Sequence, residues 1–247
     1  MDKSKGLPVP ALVFGAAAVV ALTAGAVSSP PREVGMARQE RAGFESLIAQ
    51  GDDGRYHKGG WNHYGPGYFL LDPETGVLES HGGMGLFWYS AQEYSDFVLE
   101  LEFKTSKLES NTGVFLRVPG VPSSDDYIYH SFEVQIYDGP TEEIERDGAV
   151  YDAPTEEIHR TGAAFDAEPP SHLASAPTGQ WNQFRIAFIG DQLTVELNGE
   201  QVLDWQAEPR GKVKDFVARG YIGLQNHDAD TSVWFRNIRV RDLSDDV

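Results

Sequence analysis

The 247-residue chain contains no cysteine. It therefore has no disulfide framework, no thiolate nucleophile and no cysteine-ligated metal site. Basic residues are also scarce: 20 lysines and arginines against 38 aspartates and glutamates give a formal net charge of -18. Because a surface of this sign repels phosphate, the composition argues against nucleic acids and anionic membranes as partners.

Motifs of several common catalytic sites are missing as well. The sequence has no glycine-rich phosphate loop, no nucleophile elbow and no HExxH pair among its seven histidines. With these motifs absent, the candidate chemistry lies in polar side chains on strands that are expected to be neighbours in a sheet.

The first 26 residues have the pattern of a secretory signal. A charged start, MDKSK, precedes the apolar run LPVPALVFGAAAVVALTAGAV, and Ala24-Gly25-Ala26 is a small-x-small cleavage pattern. This predicts a secreted, periplasmic or cell-surface protein. The alternative is an uncleaved anchor, since the run is near the length that spans a bilayer; it is the only membrane contact predicted. Residues 27–43 form a polar, proline-containing linker.

From residue 44 to 243, short strand-like runs alternate with Gly, Pro, Asn and Asp. Asn198-Gly199 between two apolar runs predicts a type I′ hairpin, in which Val195 would pair with Val202. Ten or more such strands, without a long helical period, predict an all-β fold. The expected architecture is a two-sheet, antiparallel jelly-roll or concanavalin-like sandwich.

One internal repeat interrupts this pattern. Residues 137–150, YDGPTEEIERDGAV, are followed directly by residues 151–164, YDAPTEEIHRTGAA, and ten of the fourteen positions are identical. A unit this short is not a solenoid repeat. We interpret it as a duplication within an exposed surface loop that adds nothing to the core. The alternative is an acidic lid over the face of the preceding strand.

That preceding strand, SFEVQIYD at 131–138, has an unusual polar face. By the two-residue alternation of a strand, Glu133 and Gln135 lie opposite its apolar residues. The same alternation puts Arg117 on one face of NTGVFLRV, and His227 on one face of GYIGLQNHD. We expect these four side chains to converge on a concave surface as base or metal ligand, acid, and anion clamp.

Each candidate also has a simpler structural interpretation. Arg117 could only neutralise Glu133 as a cross-strand pair. His227 could be a hydrogen-bonded residue at a strand end. Trp88 could stack on a sugar ring or belong to the core. His81 and the glycines of SHGGMG indicate a tight loop whose backbone some other group approaches closely.

Several blocks together resemble the 3-keto-disaccharide hydrolase family of secreted or periplasmic bacterial proteins with a concanavalin-like jelly roll. They are SNTGVFLR, EVQI and IGLQNH…VWFRNIRV, within a similarity that extends from about residue 43 to 243. The duplicated segment at 137–164 is a departure, because the family connection is shorter there.

The resemblance implies a specific chemistry. A separate enzyme first oxidises the C3 hydroxyl of a glycoside, so the C2 proton becomes acidic. A base removes this proton and the C1 substituent leaves. Addition of water then gives net hydrolysis, whereas a reaction that stops before this step would make the protein a lyase. Glu133 would be the base, His227 the acid, and Arg117 would stabilise the enediolate. The expected substrate contacts also include Gln135, Asn111, His81, Trp88 and Gln225.

No cofactor follows with certainty, but a divalent metal ion on the ketone, held by Glu133 and His227, is the candidate. Two non-catalytic functions remain as alternatives: a carbohydrate-binding module and a surface adhesion domain, since this fold hosts both binding and catalysis. The combination of Glu133, Arg117 and His227 favours an enzyme, because a pure binder would depend more on aromatic rings and neutral amides.

Overall fold

We analysed a computed structural model, which describes residues 43–139, 143–146, 149–152, 157–227 and 229–244. The predicted signal segment at 1–26 and all but the last residue of the predicted linker at 27–43 lie outside the described residues. Among the described residues, no helical segment has the length and hydropathy of a membrane span.

Seventeen strands and two short 3-10 helices make up the described chain. In order they are β1 (Glu45–Ser46), β2 (Ala49–Gln50), β3 (Tyr56–His57), β4 (Trp61–Tyr64), β5 (Tyr68–Leu71), β6 (Leu78–His81), β7 (Gly85–Tyr94), β8 (Phe97–Thr105), β9 (Thr112–Val118), η1 (Asp125–Tyr129), β10 (Phe132–Ile136), β11 (Glu143–Arg146), β12 (Ala149–Asp152), η2 (Glu157–His159), β13 (Asn182–Ile189), β14 (Gln192–Leu197), β15 (Glu200–Gln206), β16 (Gly220–Asn226) and β17 (Val233–Asp242).

Two antiparallel sheets form a sandwich. The larger sheet has the order β15-β14-β13-β8-β17-β6-β5, with β1 paired to β17. The smaller has the order β10-β9-β16-β7-β4. The predicted all-β, two-sheet antiparallel sandwich is confirmed.

Alternating apolar residues from both sheets build the core between them. On β8 the four inward residues are at most 1% exposed (Phe97, Leu99, Leu101 and Phe103), and the apolar residues of β10 are equally buried (Phe132, Val134 and Ile136). Because successive side chains of a strand point to opposite faces, these residues leave the intervening ones on the outer faces. The polar residues of β10 are therefore directed away from the core.

The predicted hairpin forms, but its register differs from the expectation. Asn198 and Gly199 both have positive φ, 55° and 85°, as a type I′ turn requires. Leu197 pairs with Glu200 across the turn, yet Val195 pairs with Leu203. The predicted pairing of Val195 with Val202 is wrong, because a bulge between positions 195 and 196 shifts the register by one residue.

The duplicated segment is only partly separate from the sandwich. Strands β11 and β12 pair with each other in a two-stranded sheet of their own. However, Thr161, Ala163 and Ala164 are at most 1% exposed, and Gln135 N donates to Ala163 O at 3.0 Å. The prediction of a wholly exposed loop at 137–164 is thus wrong for its last residues, which extend the sheet beyond β10.

The separation of the β11–β12 sheet from the buried end of the segment predicts the effect of removing one repeat unit. Deleting residues 140–153 joins Gly139 to Pro154 and keeps the buried end of the segment. We expect the melting temperature to change by less than about 4 °C, equivalent to about 1 kcal/mol for a domain of this size. Thermal unfolding followed by circular dichroism measures this. A drop of 10 °C or more would mean that the removed residues pack against the sandwich.

Candidate active site

A row of side chains crosses the outer face of the smaller sheet. The register aligns Glu133 with Phe115, Phe115 with Gly223, and Gly223 with Trp88, on four neighbouring strands. Directly opposed residues in a sheet share a face, and neighbouring strands lie about 4.8 Å apart. Glu133 and Trp88 therefore stand at the two ends of a row roughly 14 Å long.

Glu133 is held at one end of this row. It is 4% exposed, and its Oε2 accepts a hydrogen bond from Lys212 Nζ at 2.5 Å. The carboxylate lies over Gly113 on the neighbouring strand, where a Cβ would collide with Oε1 and come within 2.5 Å of Cγ. Because Gly113 has no side chain, it leaves room for the Glu133 carboxylate.

Lys212 is the functional candidate that sequence analysis missed. Its ammonium lies 4.2 Å from the ring centroid of Phe165 and 5.2 Å from that of Phe115. It comes from a loop 79 positions away in sequence from Glu133. The segment RGKVKDF has no strand or helix pattern, so no local signal indicated that one of its two lysines would be buried.

Three polar atoms elsewhere on this sheet face have no hydrogen-bond partner within the described part of the chain. They are Gln135 Oε1, Gln225 Oε1 and Trp88 Nε1. Gln135 Nε2 donates to Asn111 Oδ1 at 3.1 Å, so Asn111 lies beside this face too. Buried polar atoms are normally paired. Two acceptors and one donor that lack partners on one sheet face match the hydrogen-bonding capacity of sugar hydroxyls.

The helix η1 adds an aromatic wall to the face. Tyr127 is 5% exposed and its ring meets that of Phe115 at 5.2 Å between centroids. Burial raises the pKa of Tyr127, and the negative charge of Glu133 raises it further. Tyr64 packs edge-on against Tyr127 and donates to Asp125 Oδ1 at 3.2 Å. Neither tyrosine was a candidate from the sequence.

Arg117 does not reach this face. It has a positive φ of 54°, which interrupts the alternation of β9. Its guanidinium is 1% exposed, lies 3.7 Å from the ring centroid of Phe188, and donates to Ser95 O and Gly190 O at 2.7 Å. The expected role of Arg117 as an anion clamp beside Glu133 is therefore wrong, as is the proposed Arg117–Glu133 pair.

The two histidine candidates also lie apart from Glu133. The His81 ring stacks on Tyr68 at 4.9 Å between centroids, on the larger sheet. His227 follows the end of β16, four residues beyond Gly223, or roughly 13 Å along the strand from the Glu133 row. The backbone of His227 lies directly against Gly83, which is the close approach predicted for the SHGGMG loop.

A buried asparagine ties that loop to the sheet. Asn226 is fully buried, and its Nδ2 donates to Pro66 O at 3.0 Å, Gly82 O at 3.2 Å and His81 O at 3.3 Å. It thus satisfies carbonyl groups that the tight turn leaves without strand partners. No sequence pattern distinguished this residue from its neighbours Gln225 and His227.

The described residues do not supply the metal site that the sequence suggested. Glu133 Oε2 is paired with the Lys212 ammonium, and a second cation beside it would be repelled. His227 lies too far along the sheet to share a ligand sphere with Glu133. In the described ranges, no three His, Asp or Glu side chains are grouped so that they could hold a metal ion.

The contact between Glu133 and Gly113 predicts a sensitive position. In Gly113→Ala the new methyl group must displace the carboxylate, while the backbone conformation suits alanine. If Glu133 is the base, we expect turnover of a 3-keto-glycoside to fall tenfold to a hundredfold, since a displacement of about 1 Å has that effect. Gly59→Ala is the control, because a Cβ there meets nothing within 4 Å. Equal activity of both variants would contradict this placement.

Comparison with known proteins identifies the family. A curated 3-keto-disaccharide hydrolase from Bacteroides thetaiotaomicron is 27% identical over 225 residues, covering 74% of each chain. Two crystal structures of candidate glycosyl hydrolases from Parabacteroides distasonis superpose with TM-scores of 0.68 and 0.62, at 19% and 25% identity. They cover 84% and 81% of this chain, and 97% and 99% of their own. Residues 43–241 match the 3-keto-alpha-glucoside-1,2-lyase-like domain, and the chain belongs to that family.

Proposed function

We propose that this protein hydrolyses 3-keto-glycosides by removal of the C2 proton and loss of the C1 substituent. The observation that carries the proposal is the placement of Glu133: a buried carboxylate on a sheet face where two amide oxygens and one indole nitrogen have no partner within the described ranges. A general base in a pocket for a neutral sugar needs both features. The family and the curated relative support the same activity.

The side chains on this face have different roles. Glu133 removes the C2 proton of the sugar. Gln135, Gln225 and Trp88 bind sugar hydroxyls through their Oε1, Oε1 and Nε1 atoms, which have no partner among the described residues, and this binding orients C2 towards the carboxylate. The substrate already carries a ketone at C3, so a separate sugar-oxidising enzyme must act before this protein.

We also propose that the protein acts outside the cytoplasm. The N-terminal apolar run and its Ala24-Gly25-Ala26 pattern support export. N-terminal sequencing of the protein from its native cells tests this. A mature chain that starts near Val27 is expected, and soluble cytoplasmic protein that retains Met1 would contradict export.

Incubation with a 3-keto-glucoside, followed by analysis of the released sugar, tests the activity. We expect release of the C1 substituent and of 3-keto-glucose, and no reaction with the parent glucoside, whose C2 proton is not acidic. Binding without release would instead favour a carbohydrate-binding module. Accumulation of an unsaturated sugar would show that the reaction stops at elimination.

A further inference from the structure

Lys212 stands out among the lysines that the structure describes, because it alone is buried. Its side chain is 7% exposed, and that of its partner Glu133 is 4% exposed. Burying both members of an ion pair costs desolvation energy that their attraction often does not recover. Two apolar side chains of similar volume would serve stability at least as well, so the pair calls for another explanation.

The backbone on both sides fixes Lys212 in place. Gly211 has a positive φ of 57°, and a Cβ there would collide with Asp166 O. On the other side, Val213 is 2% exposed in the core, and Lys214 N donates to Tyr129 O at 2.9 Å. The ammonium is therefore held by close packing, between the rings of Phe115 and Phe165, and does not reach Glu133 merely by the flexibility of a surface side chain.

We infer that Lys212 is a catalytic residue, whose ammonium contacts O3 of the bound 3-keto sugar and stabilises the enediolate. This inference rests on the proposed function. It gives to Lys212 the positive charge that the sequence pattern suggested for Arg117 or for a divalent metal ion. An anion lies beside the ammonium at both stages: the Glu133 carboxylate before the reaction, and O3 after proton transfer.

The chemical steps balance without a further reactant except water. Glu133 takes the C2 proton; the C–H electron pair forms the C2=C3 bond, and the ketone π pair moves to O3 beside Lys212. In the next step the O3 pair re-forms the ketone, and the C2=C3 pair becomes C1=C2. The C1–O pair leaves with the glycosidic oxygen, which takes the proton from Glu133. Water then adds its hydroxyl group to C1 and its remaining proton to C2.

A fixed ammonium suits this charge movement. When Glu133 becomes neutral, the field of Lys212 is no longer balanced by the carboxylate and acts on O3 instead. A preorganised charge in a site with little water stabilises a developing oxyanion more strongly than solvent does. Removing one such donor typically lowers turnover by a factor of about 100 to 1,000.

The absence of cysteine from the chain allows a direct test. Lys212→Cys removes the charge, and alkylation of this single thiol in denaturant with 2-bromoethylamine, followed by refolding, restores an ammonium of nearly the original length. Alkylation with iodoacetamide gives a neutral group as the matched control. Wild-type protein taken through the same steps controls for refolding, and circular dichroism gives the folded fraction of each sample.

Turnover of a methyl 3-keto-glucoside per folded molecule is the readout. We expect the unmodified cysteine and amide forms to lose at least 100-fold in kcat with KM within about threefold, since the interaction belongs to the transition state. The aminoethylated form should regain at least a tenth of wild-type kcat. Folded, uncharged variants with wild-type kcat would overturn the inference alone, as would a folded aminoethylated form that stays inactive. Wild-type protein that does not cleave the substrate would overturn the proposed function as well.

A second measurement uses only the wild-type protein, in case the uncharged variants fail to fold. If Lys212 supplies the positive charge, turnover should be unchanged after treatment with excess EDTA. Loss of activity that a divalent metal ion restores would assign the charge to a metal and overturn the inference.

Discussion

Glu133→Gln should lower the turnover of a 3-keto-glycoside by a factor of about 100 or more, the scale typical of general acid–base groups. Glutamine keeps the shape of the side chain above Gly113 and still offers an oxygen to Lys212, but it cannot accept a proton from carbon. Substrate binding should persist, because Gln135, Gln225 and Trp88 are unchanged. Steady-state kinetics and equilibrium binding of the same substrate separate the two effects.

Glu100→Gln provides a matched control on the opposite sheet. Glu100 is 8% exposed, and its Oε2 accepts from Arg239 Nε at 2.8 Å. The substitution thus also weakens an ion pair of a buried carboxylate, but far from the candidate site. We expect it to lose stability without loss of turnover per folded molecule. If Glu133→Gln behaved in the same way, Glu133 would be only the structural partner of Lys212.

Arg117→Met should cause the largest loss of stability among the single substitutions considered. Removing the guanidinium leaves the carbonyls of Ser95 and Gly190 without their donor and Asp96 without its ion-pair partner at 3.7 Å. Burial lowers the pKa of Arg117, and the nearby acidic groups oppose this effect. The pKa of Arg117 is therefore affected both by desolvation and by neighbouring charges. We expect a decrease of about 3 kcal/mol or more in the free energy of unfolding.

Denaturant unfolding measures this decrease, with Arg55→Met as the control. Arg55 pairs with Glu74 at 3.4 Å, and the two side chains are 52% and 75% exposed. Exposed pairs of this kind contribute less than about 1 kcal/mol. Arg117→Met should keep normal turnover per folded molecule at low temperature. If Arg117→Met kept wild-type stability but lost turnover, Arg117 would instead have the anion-binding role predicted from its strand pattern.

Local sequence patterns were sufficient to predict the strands, the sandwich and part of the candidate site. Alternation along β10 correctly separated Glu133 and Gln135 from the apolar residues that enter the core, and Asn198-Gly199 correctly located a hairpin. These features depend on local geometry: side chains of a strand alternate with a period of two, and a type I′ turn needs residues that accept positive φ. Such rules act over a few neighbouring residues, so one chain is sufficient to apply them.

The identity of the positive charge beside Glu133 depends instead on contacts between segments that are distant in sequence. A single residue with positive φ turned Arg117 away from the face on which alternation had placed it. The loop at 210–214, with Gly211 packed against Asp166 and Val213 in the core, brought Lys212 there instead. Strand alternation no longer predicts side-chain direction where one backbone angle leaves the β region. The position of a distant loop depends on packing between segments far apart in sequence, and no local pattern encodes that packing.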